Sequence, residues 1–303
     1  MDQRMVVAWD GSAESRAALD WAVERARHTD STAEFVLLTV ADDASLIPGK
    51  TVGPEEFDVA AAAVADEAAR VRHELPGHRV TGEIVIGDRL NALRRATDPT
   101  TLVVLGTQTR DFPRQRFAWS LGSRLAASAL GPVAIVPRLG AGTRRGVVAG
   151  VDGSETSLRA ALFAAAEAEL RGVPLHLVHA WQEPAIWQDA FVYDQEVLDE
   201  IASQHELVVR DVEAVVAKFH PGLEIAAVTV HGHTVRALLE FSPLPELVVV
   251  GCRSRSSMNR FMLGSVSHEL ILNLDVPVAV VSDRVRDVTL DLQRSMTEKE
   301  TSA

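Results

Sequence analysis

The sequence predicts an α/β protein made of two tandem doubly wound (Rossmann-like) domains, each an open five-stranded parallel sheet with helices on both faces. Three observations lead there. Short apolar runs alternate with amphipathic stretches, and several runs are continuous, as in Leu247-Val-Val-Val250, the pattern of strands buried on both faces. The pattern occurs twice: Val6 to Ser12 reads VVAWDGS, and Val148 to Ser154 reads VAGVDGS, 142 positions later. A length of 303 residues suits two domains, each able to bury its own core.

In the first copy strands are expected at Arg4 to Trp9, Ala33 to Val40, Arg79 to Ile86, Thr101 to Leu105 and Val133 to Pro137. In the second they are expected at Val147 to Val151, Pro174 to Ala180, Leu223 to Val230, Leu247 to Val250 and Val278 to Val281. Each first strand ends in Asp-Gly-Ser and leads into an Ala-rich helix, Ala13 to His28 or Glu155 to Arg171, with the serine placed to cap it. Later landmarks sit 145 apart: Gly87 and Gly232, Gly106 and Gly251, Pro132-Val133 and Pro277-Val278. The second copy is therefore expected to carry three extra residues in its middle and to match the first without gaps elsewhere. Right-handed crossovers make each copy doubly wound. The domains are bounded at 1–140 and 144–283, with a polar surface tail at 284–303. The linker from Gly140 to Arg145 is short, so the two sheets should dock as an intramolecular pseudo-dimer.

Composition narrows the function classes. Hydrophobic residues at 47% and charged residues at 24% describe a chain that folds. A net charge of -12 opposes nucleic acid and anionic membranes as partners. There is no signal-peptide pattern and no apolar run of about 18 residues, so a cytoplasmic location is expected. Cys252 is the single cysteine and reads as a small residue finishing a strand. His176, His179, His231 and His233 lack a third ligand at metal spacing, so no metal site is expected.

Ligands of open parallel sheets bind beyond the carboxyl ends of the strands, where chain order reverses. The stretch Leu247 to Ser267 offers such a place: a strand, Gly251, a loop carrying Arg253, Arg255 and Arg260, then Gly264-Ser265 at a helix entry. Free N–H groups and the helix dipole there favour a phosphate, and Ser265 and Ser267 add hydroxyls. Asp152-Gly153-Ser154 could contact a base or ribose, although Ser154 reads first as a helix cap.

These residues resemble the universal stress protein family. The resemblance rests on the Val-Asp-Gly-Ser opening, on Leu-Val-His-Ala-Trp at Leu177 to Trp181, and on the signature of glycine, two residues, glycine, nine residues, glycine-serine. It covers both repeats and leaves out the tail. It implies ATP, with Mg2+ as its counter-ion, in the second domain: Gly150, Asp152 and Ala180 around adenine, and Val250, Gly251, Ser254, Gly264, Ser265 and Val266 around ribose and phosphates. Ser254 stands where the family has its middle glycine, which weakens that site. In the first domain Asp10, Gly106 and Ser120 form a degenerate counterpart. There Thr109 replaces the middle glycine and Trp119 the final one, so its indole should occlude the phosphates.

The resemblance further implies that Val133 to Pro137 pairs with Val278 to Ser282, and that nucleotide occupancy orders the loop from Arg253 to Leu263 for a protein partner not named by the sequence. Assembly of two tandem chains into a homodimer stays open. With no Walker lysine, paired carboxylates or positioned base, the chain is expected to be a regulator and not an enzyme. The alternatives are an interaction protein with lapsed sites and a slow ATPase.

Overall fold

Apolar strands that must be covered on both faces dictate the layers. In the computed structural model, which describes residues 4–29, 33–41, 54–107, 120–140, 143–182, 195–241, 244–252, 263–273 and 275–284, each copy forms strands and helices in strict alternation. The first copy contains β1 (Met5–Ala8), α1 (Ala13–Arg27), β2 (Glu34–Ala41), α2 (Pro54–Glu74), β3 (Arg79–Ile86), α3 (Arg89–Arg95), β4 (Leu102–Thr107), α4 (Leu121–Ser128) and β5 (Val133–Pro137). The second contains β6 (Val147–Gly150), α5 (Glu155–Arg171), β7 (Leu175–Trp181), α6 (Gln195–Phe219), β8 (Ile225–His231), α7 (Thr234–Leu239), β9 (Leu247–Cys252), α8 (Ser265–Leu272) and β10 (Val278–Ser282). The tail beyond Arg284 lies outside the described residues.

The strand order is β3-β2-β1-β4-β5-β10-β9-β6-β7-β8. Each half is the expected five-stranded parallel sheet, and their docking takes the form of strand pairing: β5 and β10 run antiparallel and join the halves into one sheet of ten strands. Val133 faces Val280, Ala134 faces Ala279 and Ile135 faces Val278. Since Ala279 lies 145 positions after Ala134, this pair marks a pseudo-two-fold axis that relates the halves.

The register corrects the repeat alignment. Ala8 pairs with Leu38, while Gly150, 142 positions after Ala8, pairs with Val178, only 140 after Leu38. Leu38 in turn pairs with Glu83, and Val178 with Val228, 145 after Glu83. The second copy therefore lacks two residues between its first helix and second strand and gains five between its second and third strands. The anchors quoted from the sequence see only the net three, because the two changes offset each other before β8: the loss falls between α5 and β7, and most of the gain lengthens α6, which has 25 residues against the 21 of α2.

The covering helices split by face. On one face a continuous cluster runs through both halves, including Leu93, Leu125 and Ile135 with Leu238, Leu270 and Val280. On the other, each half has its own cluster, and Trp21 and Phe163 pack against both. α1 and α5 start at the serine caps foreseen for them: Ser12 accepts from the Ser15 N–H at 3.1 Å and Ser154 from the Ser157 N–H at 3.2 Å. α5 stops at Gly172, whose φ of 64° is left-handed, a conformation cheap only for glycine.

Candidate functional site

Chain order reverses between β1 and β4, and again between β6 and β9, and a crevice opens at each point. The first, about 410 Å³, is lined by Asp10, Ser12, Val40, Arg89, Gly106 and Ser120 among others. The second, about 140 Å³, is lined by Gly150, Asp152, Ala180, Thr234, Val250, Gly251 and Val266 among others. Six of the nine residues assigned by resemblance thus share one cavity wall. Gly264 caps α8 and Ser265 opens it. Ser254, Thr109 and Trp119, and the arginines at 253, 255 and 260, lie outside the described residues. Asp10, Gly106 and Ser120 line the first crevice together.

The Asp-Gly-Ser turn has one geometry in both halves. Asp10 Oδ1 accepts from the Ser12 N–H at 3.0 Å and from its hydroxyl at 2.5 Å; Asp152 Oδ1 accepts from Ser154 at the same two distances. Each serine therefore caps its helix and fixes its aspartate. Burial pushes the Asp10 carboxyl up, but the hydrogen bonds from Ser12 and Ser15 and the charge of Arg89 outweigh it and hold the group below its ordinary value. It is an anion that can accept from a ligand hydroxyl or amine and repels phosphate.

The strand-exit glycines have a different reason from the one the sequence suggested. A Cβ on Gly106 would stand 2.1 Å from the Glu14 carbonyl oxygen, and one on Gly251 would stand 3.0 Å from that of Thr156. They let α1 and α5 pack onto β4 and β9, and no phosphate is needed to account for them. Gly264 is the opposite case: among the described residues a Cβ there meets nothing closer than Ser267 Oγ at 3.8 Å. Nor does Ser267 add a hydroxyl for a ligand, since its Oγ donates to the Gly251 carbonyl at 3.1 Å and ties α8 to the end of β9.

The two helix entries differ. Ser120 caps α4, accepting from the Ser123 N–H at 3.1 Å, whereas Gly264 caps α8 with no side-chain hydrogen bond. The buried faces still keep the 145 offset, Leu125 and Ala126 matching Leu270 and Ile271.

Residues the sequence reading passed over also line the crevices. Arg89 opens α3 in the first and Thr234, 145 later, opens α7 in the second. Their signal was the Gly87 and Gly232 turns just before them. In the first half Arg16 lies over the Trp9 ring, 4.5 Å from its centroid. In the second, His179 Nδ1 lies 2.8 Å from the Val151 carbonyl and its Nε2 lies 2.8 Å from His205 Nδ1. A carbonyl only accepts, so His179 Nδ1 carries the proton and His205 Nδ1–H donates to Nε2. Thr39 holds the matching place in the first half, donating to the Trp9 carbonyl at 2.9 Å. Burial, then the neighbouring His179, lowers the His205 pKa.

Cys252 is buried, and burial pushes its thiol up to about 11, which fits a packing role. Among the described residues no group of three or more His, Cys, Asp or Glu could hold a metal ion, and no helix is long and apolar enough to cross a membrane.

The sequence matches the universal stress protein family over residues 1–137 and again over 143–282. The chain belongs to the universal stress protein family. It is a tandem member: a universal stress protein of Mycobacterium tuberculosis (strain ATCC 25618 / H37Rv) is 30% identical over 288 residues, covering 91% of this chain and 96% of that protein. A second from the same strain is 28% identical over 316 residues, covering 91% and 94%. Among solved structures, a universal stress protein from Archaeoglobus fulgidus DSM 4304 superposes with a TM-score of 0.64 at 18% identity, covering 93% of this chain and 97% of that one. A putative universal stress protein from Pseudomonas aeruginosa UCBPP-PA14 gives 0.59 at 17%, covering 97% and 98%. At such identities these two structures speak for the fold.

Proposed function

We propose that this tandem universal stress protein is a regulator that binds an adenine nucleotide, ATP in the first instance, at the switch-point crevice of its second half and does not turn it over. The observation that carries this reading is the entry of α8, the helix whose Val266 lines the same crevice as Asp152. Gly264 has no side chain of its own to take an N–H of α8 and, among the described residues, leaves open space where a Cβ would stand, which fits a phosphate. Asp152 and Ala180, on the same wall, suit the uncharged end of the ligand. Room and phosphate chemistry point to different halves, since the first crevice is larger. The second is favoured because in the first Ser120 already takes a terminal N–H of α4. Mg2+ would travel with the phosphates, as no carboxylate pair in the crevice replaces their oxygens as ligands.

The test is calorimetric titration of the full chain with ATP, ADP and AMP, alongside Gly264→Asp and Ser120→Asp. Gly264→Asp has space for its side chain, caps α8 and repels phosphate, so it should fold and lose binding, while Ser120→Asp should bind as the native chain does. Gly251→Asp is a poor probe, because it would clash with α5 whatever binds. Phosphate release with ATP should stay at the buffer rate.

A second reading, an interaction protein whose sites have lapsed, is favoured by one observation. The second cavity, about 140 Å³, is smaller than the roughly 300 Å³ at which ligand pockets begin. Absence of heat with all three nucleotides would select it.

A further inference from the structure

The strands that join the halves are almost self-complementary, and a buried charge pair above them breaks that symmetry. In β5·β10 the axis pair is Ala134 and Ala279, flanked by Val133 with Val280 and Ile135 with Val278. A second β5 would fit β5 as well as β10 does. Above the sheet, Trp21 and Phe163, 142 apart like the helices that carry them, are aromatic in both halves and pack against both clusters. Arg25 and Glu167 are also 142 apart, and they meet: Arg25 Nε donates to Glu167 Oε1 at 2.9 Å and Nη2 to Oε1 at 2.6 Å. Their side chains are only 5% and 2% exposed. Arg171 also pairs with Glu167.

On a two-fold axis each residue meets its own counterpart. If two first halves paired, Arg25 would face Arg25 in a dry contact with Glu167 absent; in a pair of second halves each Glu167 would keep its own Arg171, so the repulsion belongs to the first half. We infer that the Arg25–Glu167 pair is a recognition code at the pseudo-two-fold interface: the inner face of the first half fits the second half and rejects a copy of itself. Thus the chain closes on itself, and a separate chain of this fold fits the first half only if it carries a carboxylate where Glu167 stands. Buried like charges are costly, and natural interfaces use such repulsion to choose partners.

Disulfide capture reads the pairing directly. In a full chain with Cys252→Ser, the single change Ala134→Cys places a thiol on the axis of β5 and none on β10, so a disulfide forms only when two first halves meet. After unfolding, refolding and mild oxidation, the native charge pair should give almost no covalent dimer. With Arg25→Met and Glu167→Met added, the dimer should rise at least tenfold. Arg171 keeps its bond to the Glu167 carbonyl at 2.9 Å and its place over the Trp21 ring, so that background retains much of the interface. Arg25→Glu with Glu167→Arg restores opposite charges across the axis and should return the dimer to the native level, which a simple loss of stability would not do. Equal dimer yields in the native and methionine backgrounds, or a swapped pair that dimerises like the methionine pair, would overturn the inference.

Discussion

Gly106 and Gly251 are equivalent in sequence and unequal in space. The helix carbonyl they accommodate would lie 2.1 Å from a Cβ at Gly106 and 3.0 Å from one at Gly251. A backbone atom cannot swing aside as a long side chain can, so Gly106→Ala should destabilise by about 3 kcal/mol and Gly251→Ala by about 1 kcal/mol. Urea midpoints at constant m-value check this, and equal costs would contradict the packing account. Cys252 gives a second expectation at this scale. With its thiol raised to about 11 by burial, thiolate is scarce at pH 8, and a thiol reagent should label the native chain far more slowly than the unfolded one.

The serine that starts each first helix also holds an aspartate, so its loss has two effects. Ser154→Ala should cost about 1 kcal/mol, from the lost cap on the Ser157 N–H. The matching change Ser12→Ala removes the hydroxyl donor to Asp10, so the Asp10 carboxyl, held low in part by that bond, should titrate at a higher pH in the variant, followed by NMR. At the scale of elements the sequence was most legible. Continuous apolar runs such as Leu247 to Val250 mark strands because both faces are covered, and Asp-Gly-Ser marks helix starts because few residues can cap. The compensating gaps around β7 were hidden, since they offset each other before β8. The contact between His179 and His205 was hidden too, because it depends on how α6 lies against β7. At the crevices, Asp152 and Gly264 stood out by type and spacing, while Arg89 and Thr234 are ordinary residues made notable only by where the crossover sets them.

One sheet and one shared core face should make the halves unfold together. The cluster holding Leu125 and Leu270 crosses the β5·β10 seam, so heat should give a single transition with equal calorimetric and van't Hoff enthalpies. Acid should act through the same seam. Burial alone would raise the Glu167 carboxyl, but the charges and hydrogen bonds of Arg25 and Arg171 overcome it and hold the group at about 2, against 4.5 when unperturbed. Above pH 4.5 both folded and unfolded chains keep it ionised, and its contribution is complete. Below 4.5 the unfolded chain takes up a proton that the folded chain refuses, so stability falls until about pH 2. The loss from this one group is of order 3 kcal/mol. Asp10, Glu67 and Asp98 are also held low, so acid destabilises the native chain by more than this. Subtracting the urea stability of the Arg25→Met, Glu167→Met chain at each pH cancels those shared groups. The difference should therefore move in favour of the methionine chain as pH falls from 4.5 to 2. A difference flat with pH would mean that Arg25 and Arg171 do not hold the Glu167 carboxyl below its ordinary value.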